Sequence, residues 1–270
     1  MLFSSMTFLY VFLPIVLLLC LIAKKELHNS ILLIASIIFY AWGEPKYLAI
    51  MFLTILITYF GALGIEKYPR WKKVLLLCTL LGELGFLFYF KYFNFLITNI
   101  NALFHSQHSL LDIVMPIGIS FYTFQSLSYV IDVYRGECTA QKDISKLTLY
   151  VCLFPQLIAG PIVKYHDISG QIEDRVLSFE KVSLGAKRFI VGLAKKVLIA
   201  NTMGAIVDKI FVQDPSTFPC SVAWLGSVAY TLQLYFDFSG YSDMAIGLGL
   251  IFGFNFKENF NHPYISKSIT

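Results

Sequence analysis

Long uncharged, apolar runs separated by short charged stretches recur along the whole chain. Met6–Ala23 is 18 residues without a charge and stops at Lys24 and Lys25. After it come Asn29–Gly43, Tyr47–Ile65, Val74–Phe90 (interrupted only by Glu83), Ile113–Ile131, Leu147–Val163, Val197–Val207, Ser216–Phe236 and Met244–Phe256. A helix needs roughly 17–25 apolar residues to cross the hydrocarbon, and backbone in lipid must satisfy its own hydrogen bonds. Continuous apolar runs fit helices, not the alternating strands of a barrel. The pattern predicts an all-α, polytopic integral membrane protein with about eight membrane-embedded helical segments, built as a single membrane domain over residues 1–270. Asn29–Gly43 is short and leads into Glu44-Pro45, which predicts a tight helical hairpin with the next run.

The distribution of Lys and Arg orients these segments, because cytoplasmic loops collect positive charge. The first six residues carry none and are expected outside. Lys24 and Lys25, then Lys67, Arg70, Lys72 and Lys73, then Arg135, Lys142 and Lys146 fall inside; the cation-free stretch 92–110 falls outside, apart from its flank at Lys91. A full crossing by Leu147–Val163 would put Lys164, Arg175, Lys181, Lys187, Arg188, Lys195 and Lys196 outside. That segment contains Phe154-Pro155-Gln156-Leu157-Ile158-Ala159-Gly160-Pro161, and two prolines do not fit a straight helix. A re-entrant element that returns to the cytoplasmic side resolves both conflicts. It predicts a cavity open to the cytoplasm, since irregular backbone at membrane depth must be buried in protein or line water. Residues 164–196 are then a cytoplasmic amphipathic region, with an outward crossing from Val197.

Composition sharpens this picture. Apolar residues make up 57% and charged residues 14%, against about 45–50% and about 25% in soluble domains. Mean hydropathy is +0.69, so lipid is the solvent for much of the surface. The net charge of +4 comes without a basic, aromatic-interleaved run, which excludes nucleic acid as the expected partner. Cys20, Cys78, Cys138, Cys152 and Cys220 form no paired spacing, so neither disulfide framework nor metal site is expected. No Lys or Arg precedes the first apolar run and no small-residue cleavage pattern follows it, which argues against a cleavable signal peptide.

Polar residues inside apolar runs are costly and point to function. The densest group is Tyr235-Phe236-Asp237-Phe238-Ser239-Gly240-Tyr241-Ser242-Asp243-Met244. Gly240 permits either close backbone approach or an unwound turn. The functional reading is a break between half-helices lining a polar cavity; the plain reading is an interfacial loop that solvates two aspartates. Lys187, Arg188, Lys195 and Lys196 form a basic group in which Arg188 and Lys195 share a helical face. They could hold donor phosphates or anchor to anionic lipid. Glu83 is either a functional carboxylate or the partner of Lys91 or of a neighbouring helix.

The segment Phe236–Gly247, with Asn259-Phe260-Asn261-His262-Pro263-Tyr264, closely resembles the signature region of membrane-bound O-acyltransferases, nearest their alginate O-acetylation subgroup. Met1-Leu2-Phe3-Ser4-Ser5, Phe39-Tyr40-Ala41-Trp42, Pro116–Gln125 and Phe154–Pro161 resemble that subgroup's earlier motifs in the same order. The resemblance implies an O-acyltransferase, expected to be an O-acetyltransferase. It would move acetyl from a cytosolic thioester such as acetyl-coenzyme A to an extracytoplasmic polysaccharide, alginate for example, or to a partner acetyltransferase. No bound cofactor is implied. The implied location is the bacterial inner (plasma) membrane, multi-pass, with lipid as the surrounding partner. The resemblance also implies that the family's catalytic histidine lies beyond Thr270. The chain is therefore expected to be an N-terminal portion without its own base, inactive alone. His28, His105, His108, His166 and His262 read as loop or turn histidines; His262 is the one nearest the implied path. Substrate-path candidates are Gln156, Asp237, Ser239, Tyr241, Asp243 and His262; donor-phosphate candidates are Arg188 and Lys195. The competing class is a transporter or flippase for cell-surface glycans, which broken helices and intramembrane aspartates would also suit. A third is a non-catalytic scaffold that recruits an extracytoplasmic enzyme.

Overall fold

The computed structural model describes residues 2–157, 163–214, 218–261 and 263–268. Among these residues the regular structure is helical, with no strand. In chain order, α1 is Leu13–Ile22, entered through a π turn at Phe8–Phe12; α2 is His28–Gly43, α3 Leu48–Lys67, α4 Lys72–Phe104 and α5 Ile119–Arg135. Then come α6 Ile144–Cys152, α7 Phe154–Leu157, α8 Tyr165–Glu173, α9 Phe179–Ala194, a π turn at Lys195–Ala200, α10 Asn201–Phe211 and α11 Cys220–Ile251. Among the described residues, three helical stretches are long and apolar enough to cross a membrane: Pro45–Lys67, Pro69–Phe104 and Phe179–Phe211.

The boundaries follow local chemistry. Glu44-Pro45 ends α2 and opens the turn into α3, but α2 packs chiefly on α6 and not as a tight hairpin on α3. Asp143 caps α6 by accepting from Ser145 N at 2.8 Å, and Ser178 caps α9 by accepting from Lys181 N at 3.2 Å; such caps satisfy the orphan donors of a first turn. Residues 92–104, expected in an outside loop, instead extend α4 to Phe104. No Pro or Gly interrupts them, and Asn99 and Thr98 turn back onto carbonyls four residues earlier. Asn94 and Asn101 pin the following segment through two-way bonds with Leu111 and His108.

By its packing the chain divides into two compact units. Among the described residues one takes in 16–157 and 163–172, the other 2–15 and 173–268.

In the first of these, α3 packs on α4, α5 and α6, and α2 packs on α6. The α3–α4 seam is built of small residues: a Cβ on Gly61 would lie 2.3 Å from Thr79 Oγ1. Small residues let helices approach closely where lipid offers no hydrophobic drive to associate. Glu83 is fully buried here and accepts from Thr58 of α3 at 2.6 Å. Its partner is therefore a neighbouring helix and not Lys91.

The helix breaks at Leu153, just ahead of Pro155. Phe154 N–H does not continue the α6 ladder; it donates to Ser36 Oγ of α2 at 3.1 Å. The Tyr150 carbonyl left over accepts from Gln156 Nε2 at 2.6 Å and Gln125 Nε2 at 2.8 Å. Two glutamines thus satisfy the freed carbonyl, which lets an interrupted helix stay buried. Residues 158–162 of the expected re-entrant element lie outside the described residues.

In the second unit, α9, the π turn and α10 form one continuous rod against which α11 packs along its length. Gly185 faces Gly247, Gly192 faces Gly240, Gly204 faces Gln233 and Gly226 faces Phe211, so the two rods run antiparallel. Phe3 stacks on Tyr241 at 4.6 Å, and Phe8 meets Phe189.

Candidate functional site

The α9–α11 seam shapes the densest ionic cluster among the described residues. A Cβ on Gly192 would sit 2.6 Å from the Gly240 carbonyl, and one on Gly240 would sit 2.8 Å from the Gly192 carbonyl. Backbone meets backbone at this point, so the long side chains on either side lie across a narrow seam. α11 runs unbroken through residues 237–243. This corrects both readings of the stretch, a break between half-helices and an interfacial loop, and it joins the runs Ser216–Phe236 and Met244–Phe256 into one rod as far as Ile251. Gly240 serves close approach, not unwinding.

Across the seam, Asp243 uses each carboxylate oxygen separately. Oδ1 accepts from Arg188 Nε at 3.1 Å and Nη2 at 2.9 Å, and Oδ2 accepts from Lys195 Nζ at 2.6 Å. Arg188 also makes a two-pronged bond from Nη1 and Nη2 to the two oxygens of Glu258, the fork geometry that suits guanidinium and carboxylate. Nearby, Lys196 pairs with Asp237. The Asp243 side chain is 16% exposed and that of Glu258 56%. Arg188 holds the Glu258 carboxyl below its ordinary value, chiefly through these hydrogen bonds.

Lys195 and Lys196 start the π turn. A π turn adds a residue to a helical turn and often marks functional positions; here both ammonium groups end on α11 carboxylates. Cations within a lipid-facing rod are carried by paired carboxylates, since an unpaired buried charge is strongly destabilising. The basic residues of the expected cytoplasmic region 164–196 from Lys181 onward lie on this helical rod.

The structure thus brings together Arg188, Lys195 and Asp243, with Asp237 on Lys196 beside them. Ser239 is buried in the same seam, and neither its hydroxyl nor that of Ser242 has a hydrogen-bond partner among the described residues. Tyr241 lies under Phe3. Gln156 belongs to the other unit, where it is buried on the Tyr150 carbonyl. His262 lies outside the described residues. So does Thr270, the position beyond which the catalytic histidine is expected. Nothing in the sequence singles out Glu258: it lies in a polar stretch 70 residues from Arg188, and no local pattern marks such a pairing.

The model of the MBOAT, membrane-bound O-acyltransferase, family matches residues 141–268, the part of the chain that runs from α6 through α11. The chain is 47% identical over 282 residues to the probable alginate O-acetylase AlgI of Pseudomonas syringae pv. tomato, covering all of this chain and 53% of that protein. At 46% identity over 280 residues it also matches the probable alginate O-acetylase AlgI of Pseudomonas putida, covering all of this chain and 57% of that protein. The chain belongs to the membrane-bound O-acyltransferase family. Within the family it is 34% identical over 304 residues to the peptidoglycan O-acetyltransferase of Helicobacter pylori, covering all of this chain and 57% of that protein. The chain spans about half the length of the curated relatives it matches. Its family and its apolar helices make it membrane-embedded, and the Arg188–Asp243–Lys195 cluster falls inside the family-matched region.

Proposed function

We propose that the whole protein is an O-acetyltransferase. It takes acetyl from a cytosolic thioester, acetyl-coenzyme A or another acyl thioester, and passes it to an extracytoplasmic polysaccharide or to a partner acetyltransferase at the inner membrane. The observation that carries this reading is a cluster of two cations and two carboxylates held at a glycine seam inside the family-matched region. The relatives' names supply the class of chemistry, O-acetylation of alginate and of peptidoglycan.

In this reading Arg188 and Lys195 bind the donor's phosphates. Both are neutralised in the structure, so an incoming phosphate competes with a carboxylate for them. Glu258 is the more exposed of the two and is the one displaced; Asp243 stays to hold both cations in register. Phosphate then takes over the same guanidinium fork. Asp237, Ser239, Tyr241 and Asp243, all on α11, are the substrate-path residues beside this cluster in this reading. The base that takes the acceptor's proton is a histidine that the whole protein supplies beyond Thr270, and none of the five in this chain is assigned that task. The transporter reading draws on intramembrane aspartates and broken helices, and the continuity of α11 through 237–243 takes away one of those breaks.

The test is steady-state kinetics on the whole protein with acetyl-coenzyme A as the varied substrate. Arg188→Gln should raise the donor KM, whereas Glu258→Gln should lower it with kcat little changed. A donor KM unmoved by either variant would rule out phosphate binding at this cluster.

A further inference from the structure

Outside the α9–α11 seam, three metal-ligating side chains converge in the other unit. Asp132, Glu137 and His166 place one donor atom each within 4.8 Å of one another. Asp132 lies in the last turn of α5, and Gly136 then adopts a left-handed φ of 78°, which L side chains avoid. That turn brings Glu137 back so that its N–H bonds to the Asp132 carbonyl at 2.9 Å. His166 comes from the first turn of α8.

The scaffold beneath is rigid. Tyr165, next to His166, packs edge-on against Tyr129 and Tyr150 at 4.8 and 5.1 Å. Gln141 bonds both Tyr129 and Tyr165 through its N–H and side-chain amide. Function-bearing side chains need such support to stay in geometry.

Two observations single this cluster out from an ordinary charged turn. Asp132 is only 3% exposed, and its Oδ2 has no hydrogen-bond donor among the described residues. That atom is turned toward His166 Nδ1 at 3.5 Å. Two ligands bound at about 2.0–2.1 Å in a tetrahedral shell lie about 3.4 Å apart. On its far side, His166 Nε2 faces Asp167 at 3.3 Å. A carboxylate on the second ring nitrogen is the usual way a ligating histidine is oriented.

We propose that Asp132, Glu137 and His166 bind a divalent transition-metal ion, of the zinc or manganese class. Asp132 Oδ2 and a Glu137 oxygen supply two hard donors and His166 Nδ1 supplies an imidazole, a mixed set that suits these ions. Asp167 orients the imidazole from outside. Glu137 and His166 are exposed, so the remaining positions on the ion are open to water. Arg135 approaches Glu137 at 3.8 Å and would be released on binding. Such an ion would tie α8 to the end of α5, and it is independent of the acyl-transfer reading.

The test uses the whole protein in detergent, with Mn2+ and Zn2+ as probes and Ca2+ and Mg2+ for comparison. Equilibrium dialysis should give one saturable site. Glu137→Gln and His166→Ala should each weaken it by about tenfold or more, since even outer partners cost roughly 10–100-fold. Both changes are at exposed positions, so they avoid the folding risk of replacing Asp132. Pulsed EPR on the Mn2+ form should show coupling to one imidazole nitrogen that His166→Ala abolishes. No saturable site, or a site whose affinity both variants leave unchanged, would overturn the assignment. So would tighter binding of Ca2+ or Mg2+ without nitrogen coupling.

Discussion

Replacing Gly192 with alanine puts the seam under the most direct test. The added Cβ would lie 2.6 Å from the Gly240 carbonyl, 2.7 Å from Met244 N and 2.9 Å from Asp243 Cβ. Ordinary van der Waals contact begins near 3.4 Å, and two of these three neighbours are helix backbone that cannot rotate aside. The rods must therefore part by several tenths of an ångström along the seam. Overpacking of this kind costs about 1–3 kcal/mol, a factor of roughly 5–150 in the folding equilibrium. The movement also pulls Lys195 away from Asp243. Gly85 of α4 provides the control, since nothing lies within 4 Å of a Cβ built there. Alanine at Gly85 should be neutral or stabilising by up to about 1 kcal/mol, through helix propensity alone. The assay is unfolding of the whole protein in mixed micelles, followed by loss of helical signal as denaturing detergent is added. If Gly192→Ala and Gly85→Ala shift the midpoint alike, the close approach of α9 and α11 is wrong.

Three other changes probe separate parts of the account. Asp243→Asn leaves Arg188 and Lys195 short of an anion and should destabilise by about 1–3 kcal/mol; adding Lys195→Gln should restore part of that loss in the same micelle assay. Thr58→Val removes the donor to buried Glu83 and should cost about 1–3 kcal/mol, whereas Thr58→Ser should cost less. Arg188 holds the Glu258 carboxyl low, so the stability it contributes is present above the ordinary carboxylate range and is lost as pH falls through the lowered value; Glu258→Gln should flatten that acid limb in a pH series of melts, and an unchanged limb would refute the pairing.

Much of the architecture is legible in the apolar runs, because lipid forces apolar helical segments to show themselves in sequence. The Pro155 interruption is equally visible, since a proline disfavours helical backbone at the residue before it, and Phe154 leaves the α6 ladder. What satisfies the freed Tyr150 carbonyl is not visible: Gln125 lies 25 residues away and carries no local mark. The run from Asp237 to Asp243 misleads for a related reason. Gly240 is compatible with a turn or with a close approach, and only the position of Gly192 on a distant helix decides between them. Lys195 and Lys196 read as the end of a cytoplasmic amphipathic region because the positive-inside rule weighs charge without knowing its partner. Once each is paired with an aspartate of α11, it can stay in the rod. Residues 92–104 read as a loop for want of Lys or Arg, yet their asparagines turn back onto helix carbonyls or clamp the segment that follows.

The most direct test of the central claim follows acetyl itself. Membrane vesicles carrying the whole protein, together with its extracytoplasmic partners, would be given radiolabelled acetyl-coenzyme A on the cytoplasmic side. The account predicts loss of the thioester and appearance of label on surface glycan or partner protein, reduced by Arg188→Gln at limiting donor and recovered at high donor. An intact thioester, with no label transferred while the partners are present, would contradict it.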